Sequence, residues 1–116
     1  AATGANPNVV ESTLKSSTLW VDVIVTPGKQ GSNDLHISVL KPSGKFATVQ
    51  DLKVTLDQPD RKIPPIAVPL SSLGSGHYLA SGFTIPLAGT WRVTARALLS
   101  QFDERTLTAT FDLAGS

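Results

Sequence analysis

The sequence contains no cysteine, no methionine and only two histidines in 116 residues. Without cysteine the chain can form no disulfide, thiolate nucleophile or cysteine-ligated zinc or iron–sulfur site. The missing methionine indicates a mature exported form or an excised fragment, because a full-length cytoplasmic product would start with one. No apolar run approaches the roughly 18 residues of a membrane-spanning helix, and no signal peptide is recognisable. We therefore expect a soluble domain.

Charge is also scarce. Ten Lys and Arg residues against nine Asp and Glu residues give a formal net charge of +1, and charged residues make up 16% of the chain, below the usual fraction of about 25%. A charge so near neutrality gives no electrostatic footprint for nucleic acid or an anionic membrane. The length fits one domain, so we expect a single domain that binds no nucleic acid.

What the sequence does contain is a series of short runs in which apolar and polar residues alternate, separated by turns rich in Pro and Gly. Alternation of this kind, without a helical period, is typical of an antiparallel β-sandwich. We predict an all-β, immunoglobulin-like sandwich of Greek-key type with about seven strands, over residues 18–26, 34–40, 48–57, 66–70, 77–85, 90–100 and 105–113. Residues 1–17 are small and polar without a period and are predicted to be a linker or flexible N-terminal arm, which leaves 18–116 as the domain.

The two tryptophans have different phases in this pattern. Trp91 is in phase with Val93 and Leu99 and is expected to fill the core between the sheets. Trp20 is out of phase with its neighbours Leu19 and Val21. We expect a bulge to turn it inward; the alternative is an outer-face contact residue.

Side chains suited to catalysis are few and isolated. Nucleophilic catalysis needs a Ser, Thr or Cys beside a base that a third group orients, and only His36 and His77 could act as imidazole bases. The stretch Gly74-Ser75-Gly76-His77 is interpreted as a glycine-eased strand entry, and no phosphate-binding glycine loop occurs. We predict that the protein is not an enzyme, and we assign no catalytic, cofactor-binding or metal-ligating residue.

Copper(II) is the candidate metal, because it accepts imidazole and carboxylate ligands. Copper(I) instead prefers thiolates and thioethers, which this chain lacks. His36 falls on the outward face of its run together with Asp34, and His77 begins another run. If these two strands were neighbours, His36, His77 and a nearby Asp could form a weak copper(II) site. The alternative is a pair of surface histidines without a metal.

The order of several segments resembles a known family. The segments are VTPGKQGSNDLHISVLKPSGK, DLKVTLDQP, IPPIAVPLSSLGSGHYLASGFTIPLAGTWRVTARAL and FDERTLTATFDL. They are similar to the C-terminal soluble (YtkA-like) domain of actinobacterial copper-resistance and copper-transport membrane proteins of the CopC/CopD type. The similarity runs from Pro27 to Leu113, about three quarters of the chain, and is carried by Gly28, Gly31, Asn33, Leu35, Pro42, Gly44, Gly76, Tyr78, Gly82, Pro86, Gly89 and Trp91.

This resemblance implies an extracytoplasmic domain, anchored to the cell membrane through segments outside this chain. There it would act as a scaffold or docking module attached to a transmembrane copper-transport domain. In such proteins the copper-binding His and Asp residues belong mainly to the other soluble domain and the membrane helices. Two alternatives stay open: a weak copper(II)-binding domain that uses His36 and His77, and a secreted adhesion or carbohydrate-binding module. The last would need an exposed aromatic platform, for which most of the aromatic residues are in the wrong phase.

Overall fold

The structure, a computed structural model, describes residues 10–61, 63–74, 76–113 and 115. Within these residues there is no helix of the length and apolar character needed to cross a membrane. The described chain forms nine antiparallel β-strands: β1 (Val10–Lys15), β2 (Trp20–Thr26), β3 (Gly31–Leu40), β4 (Asp51–Asp57), β5 (Ile66–Val68), β6 (Ser71–Gly74), β7 (His77–Ile85), β8 (Gly89–Ser100) and β9 (Asp103–Leu113).

The strands form two sheets, one with the order β1-β2-β3-β7-β6 and the other with the order β5-β4-β8-β9. The chain passes from one sheet to the other after β3, after β5 and after β7. Consecutive strands that stay within one sheet form hairpins, at β1–β2, β2–β3, β4–β5, β6–β7 and β8–β9. This is the Greek-key arrangement of an immunoglobulin-like sandwich. The predicted fold class is confirmed.

The core follows from the two-residue period of the strands. Val21, Val23 and Val25 of β2 have at most 1% of their surface exposed, and the residues between them point to the outer face. Trp91 is completely buried, as predicted from its phase. Its indole Nε1–H donates a hydrogen bond of 2.9 Å to the carbonyl oxygen of Leu87, so the one polar atom of this core side chain is satisfied.

The prediction of a flexible arm over residues 1–17 is wrong for its second half. Val10–Lys15 is strand β1, paired along its whole length with β2. Leu14 is fully buried, and the Ser12 hydroxyl donates to the carbonyl oxygen of Thr110 in β9, 3.3 Å away. Because only every second residue of so short a strand faces inward and one of these is a serine, the alternation was too weak to recognise. Residues 1–9 lie outside the described residues.

All seven predicted strands have counterparts, but the run predicted over 66–70 ends early, and the strand β6 that follows it was not predicted. β5 ends at Val68, and after Pro69 and Leu70 the chain begins β6 in the opposite sheet. Pro69 has no N–H to donate, so the ladder of β5 cannot continue through it. β5 lies at the edge of its sheet, where a proline is tolerated.

Candidate functional site

The outer faces of the two sheets differ in polarity. On the four-stranded sheet the outward positions other than Ala67 and Leu98 are polar or charged. Thr94 and Thr108, for example, face each other across β8 and β9. On the five-stranded sheet, large apolar side chains occupy outward positions and are half-buried by their neighbours. Together with the two histidines and Phe46 they form a surface that we call the outer patch: Trp20, Ile24, His36, Leu40, Phe46, His77 and Leu79.

Trp20 belongs to the outer patch, so the expectation that a bulge turns it inward is wrong. No register shift interrupts the pairing of β2 with β1 or β3. Because the next residue, Val21, is completely buried, alternation directs Trp20 to the other face. The ammonium nitrogen of Lys15, directly opposite on β1, lies 4.8 Å from the centroid of the indole ring, a cation–π contact.

The two histidines lie on neighbouring strands and share the outer face. His36 is opposite Leu79 and Ser38 is opposite His77 in the β3–β7 ladder, which makes the two histidines diagonal neighbours. Such pairs lie about 7–8 Å apart at their Cα atoms, within reach of one another's long side chains. In the described part of the chain, no three His, Cys, Asp or Glu side chains gather closely enough to hold a metal ion. The condition that the strands be neighbours is met, but the third ligand is not in place.

A tight turn places Phe46 on the outer patch. The alternation pattern does not predict this, because the residue lies outside the predicted strands. The amide of Gly44 donates to the carbonyl of Lys41, and the amide of Lys41 donates to the carbonyl of Lys45, both at 2.8 Å. This turn folds the chain back so that Phe46 pairs with Leu40. Phe46 is then stacked on His77, with 5.4 Å between ring centroids and 26° between ring planes.

Gly76 makes the approach of these segments possible. The amide of Val39 donates to the carbonyl of Gly76 at 2.7 Å, and the carbonyl of Val39 accepts from the amide of Ala47 at 2.8 Å. A Cβ atom on Gly76 would lie 2.7 Å from the Ala47 carbonyl oxygen and 2.8 Å from that of Val39. Its φ of 70° is also in the left-handed region, which favours glycine. Only glycine fits this junction of three segments.

Two carboxyl groups meet at the β1 edge of the outer face. A hydrogen bond with the Asp22 side chain, together with that residue's charge, raises the pKa of Glu11. Asp22 also accepts a hydrogen bond of 3.1 Å from the hydroxyl of Thr13. On the inner side of the same sheet, burial raises the pKa of Tyr78, and the nearby charge of Asp51 adds to the effect. The start of β4 therefore lies beside the start of β7.

Most other acidic side chains of the described residues hold strands or turns together. Asp34 accepts a hydrogen bond of 2.8 Å from the amide of Gly82 on β7. Three salt bridges join residues within the four-stranded sheet: Arg92–Asp57, Arg96–Glu104 and Arg105–Asp103. These contacts give the acidic side chains a structural role within the sheets. The salt bridges also form part of the polar outer face of the four-stranded sheet.

A small pocket lies at the end of the sandwich where β4 ends and β8 begins. It has a volume of about 180 Å³ and is lined by Gln58, Asp60, Arg61, Ala88, Gly89 and Thr90. Gln58 is 4% exposed; its amide nitrogen donates to the carbonyl of Ala88 at 3.0 Å, while its Oε1 atom has no partner among the described residues. The pocket has room for a few water molecules.

No protein-family model, curated protein or solved structure matches this chain. Its function must therefore be argued from its own surfaces. Two of them stand out: the outer patch, with its histidine pair, and the end of the sandwich to which Phe46 belongs.

Proposed function

We propose that the chain is a non-enzymatic, immunoglobulin-like docking domain of a copper-transport or copper-resistance membrane protein. It would work on the extracytoplasmic side and pack its outer patch against the membrane-embedded part. The single observation that carries the docking role is the asymmetry of the two sheets. Trp20, Ile24, Leu40 and Leu79 interrupt an outer face that would otherwise be polar. Half-buried apolar residues with aromatic neighbours are typical of the centre of a protein–protein contact.

The copper assignment comes from the family resemblance, and the buried polar residue of the motif that carries this resemblance has a structural task in the fold. Asn33 is 1% exposed, and its Oδ1 atom accepts from the amide of Gly28 at 2.9 Å. Its Nδ2 atom donates to the carbonyls of Lys29 and Gly31 at 2.7 and 3.0 Å. The segment PGKQGSN thus forms a turn that one asparagine side chain closes. Such a turn needs an asparagine at this one position, whereas a general polar loop would accept other polar residues there.

The aromatic residues of the outer patch are better suited to a protein contact than to sugar stacking. A sugar ring stacks on a free aromatic face, but Lys15 lies over the ring of Trp20 and His77 is stacked on Phe46. Each of these contacts covers one ring face that a carbohydrate could otherwise use. A partner that packs against the half-exposed edges and the aliphatic side chains of Ile24 and Leu40 needs no such free face.

The docking role can be tested in the cells that naturally make the protein. Leu40→Asp and Ile24→Asp place a charge on the outer patch, whereas Thr108→Asp places one on the polar outer face of the other sheet. We expect the two patch variants to change copper tolerance and cell-associated copper, and the control variant to behave as the wild type. Unchanged copper handling after deletion of the whole segment would contradict the copper assignment. Equal effects of all three substitutions would contradict the choice of face.

Weak copper(II) binding is a second candidate, favoured by the diagonal placement of His36 and His77 on one face. Imidazole nitrogens are preferred copper(II) ligands, and water would complete the coordination. Copper(II) titration followed by electron paramagnetic resonance should show nitrogen hyperfine coupling that His36→Ala and His77→Ala each reduce. If the double variant gives the same spectrum and affinity as the wild type, the pair is not a copper site.

A further inference from the structure

The large hydrophobic side chains that are exposed in the described part of the chain lie at one end of the sandwich. They are Phe46, Leu73 and Phe102, with 50%, 55% and 92% of their surface exposed. Each lies in or beside a different connection: between β3 and β4, at the end of β6, and between β8 and β9. We call this end the loop end; it consists of residues 15–19, 41–51 and 100–104 together with Leu73, Gly74 and Gly76.

Backbone hydrogen bonds fix these connections beside one another. The amide of Gln50 donates to the carbonyl of Leu98 near the end of β8, at 2.7 Å. The amide of Ala47 donates to Val39, which in turn donates to Gly76 before β7. Both sheets therefore end together here. β1 begins and β9 ends at the opposite end, where Val10 pairs with Val25 and Leu113 with Gly89.

The fold makes two of the hydrophobic side chains project. Phe102 and Gln101 are the two residues between Ser100 and Asp103, which pair as the last residues of the β8–β9 hairpin. Leu73 lies at a register shift between Ser72 and Gly74, so it has no partner across the ladder with β7. Neither side chain contributes to the buried core. Together with Phe46 they concentrate the exposed large hydrophobic side chains of the described residues at this end, and a cluster of this kind is more informative than a single exposed residue.

The same end carries excess positive charge. Lys15, Lys41 and Lys45 lie at the loop end, and none of them forms a salt bridge within the described residues. The acids Asp103 and Glu104 are already paired with arginines, so the unpaired acid here is Asp51. The formal net charge of +1 is an average over the whole chain and does not describe this end.

We infer that the loop end docks on an anionic lipid bilayer, with Phe102, Phe46 and Leu73 entering the interfacial region and the three lysines contacting phosphate headgroups. Apolar tips beside basic residues are the combination that binds a protein to an anionic membrane surface. A bilayer also accepts side chains carried on separate loops, since its apolar phase is continuous, whereas a protein groove would require the three to converge. This inference does not depend on the copper assignment.

The experiment is sedimentation of the protein with vesicles of phosphatidylcholine, with and without phosphatidylglycerol, at low and at physiological salt. We expect binding to the anionic vesicles, weakened by salt because the attraction of the lysines is screened. Phe102→Asp should reduce the partition coefficient by about tenfold or more, because it removes a large apolar side chain from the interface. The double variant Lys41→Glu, Lys45→Glu should reduce it by about 25-fold or more, since the loss of each lysine alone costs about fivefold.

Two controls make the result specific to the loop end. Lys29→Glu reverses a charge in the exposed β2–β3 turn at the opposite end and should leave binding nearly unchanged. Phe102→Trp should show a blue shift of its added emission with anionic vesicles and quenching by brominated lipids. Circular dichroism and thermal melts establish that all variants are folded. Absence of binding to anionic vesicles at low salt would overturn the inference, as would equal binding of wild type and Phe102→Asp, or equal effects of reversing Lys29 and the loop-end lysines.

Discussion

Replacement of Gly76 by alanine should destabilise the domain more than the same change at any glycine with open space around it. Two effects add. An alanine at a φ of 70° costs about 1–2 kcal/mol. Its Cβ would also lie 2.7 and 2.8 Å from two backbone carbonyl oxygens, which cannot rotate away as a flexible side chain would.

Relief of this overlap requires the start of β7 to separate from β3 and from residues 46–47. That movement breaks or lengthens two backbone hydrogen bonds, from Val39 to Gly76 and from Ala47 to Val39. At about 1 kcal/mol for each hydrogen bond, the overlap adds about 2 kcal/mol. We therefore expect Gly76→Ala to lower the free energy of unfolding by about 3–4 kcal/mol, less a few tenths because alanine restricts the unfolded chain.

Gly82→Ala is the matched control. Gly82 also has a positive φ, 63°, but a Cβ there would meet no atom within 4 Å. It should cost only the conformational part, about 1–2 kcal/mol, and the unfolded-state contribution is the same for both variants. The difference of about 2 kcal/mol between the two is thus the cost of the overlap itself.

Equilibrium unfolding in urea, followed by circular dichroism and tryptophan fluorescence, measures both free energies. Gly76→Ala should in addition change the NMR shifts of the His77 ring protons, because the Phe46 ring would move away from them. If the two variants differ by less than about 0.5 kcal/mol, within the usual scatter of such comparisons, the close approach of β3, β7 and residue 47 is not as described.

Three further predictions concern stability. Leu14→Ala should lower the free energy of unfolding by about 2–5 kcal/mol, as for a fully buried leucine; in a flexible arm the change would be near zero, so urea unfolding decides between the two. Asn33→Asp should cost about 2–4 kcal/mol, because a carboxylate cannot donate to the two carbonyls that the amide contacts; Asn33→Ala gives the reference, and a carboxylate as well tolerated as the asparagine would refute the turn geometry. The raised pKa of Glu11 means that the folded state binds a proton more tightly than the unfolded state does. The stability that this proton contributes is fully present below the ordinary pKa of a glutamic acid. It is lost as the pH rises through the raised pKa. Because Glu11 is exposed the effect is small, and Glu11→Gln should be slightly more stable than wild type at neutral pH but not in acid; parallel stability–pH curves would exclude the interaction with Asp22.

The period of two made most of this fold predictable, because a buried strand leaves its mark on every second residue. It succeeds for β8, where Trp91, Val93 and Ala95 alternate with polar residues. It fails for β1, where the inward positions are few and include Ser12. What holds β1 in the sheet is its pairing with β2 and its contact with β9, and neither is a property of the six residues alone.

The candidate surfaces were less predictable, for a physical reason. Alternation assigns side chains to the two faces of a strand but does not say which outer face is covered. Trp20 needs a bulge to face inward, yet the ladders on both sides of it are regular, and Lys15 lies over its ring on the outer face. Phe102 carried no signal, since a residue in a turn has no phase. Only the pairing of Ser100 with Asp103 shows that it forms the tip of a hairpin.

The outer patch and the loop end share Phe46, which connects the candidate functions. Phe46 is stacked on His77 face to face, and stacking of this kind leaves the ring nitrogens, which lie in the plane of the imidazole, free to bind a proton or a metal ion. Membrane docking through the loop end and metal binding at the histidine pair are therefore compatible in one molecule, because Phe46 holds the imidazole without using its ligand atoms. The rings of Phe46 and His77, with Gly76 beside them, lie where the outer patch and the loop end adjoin.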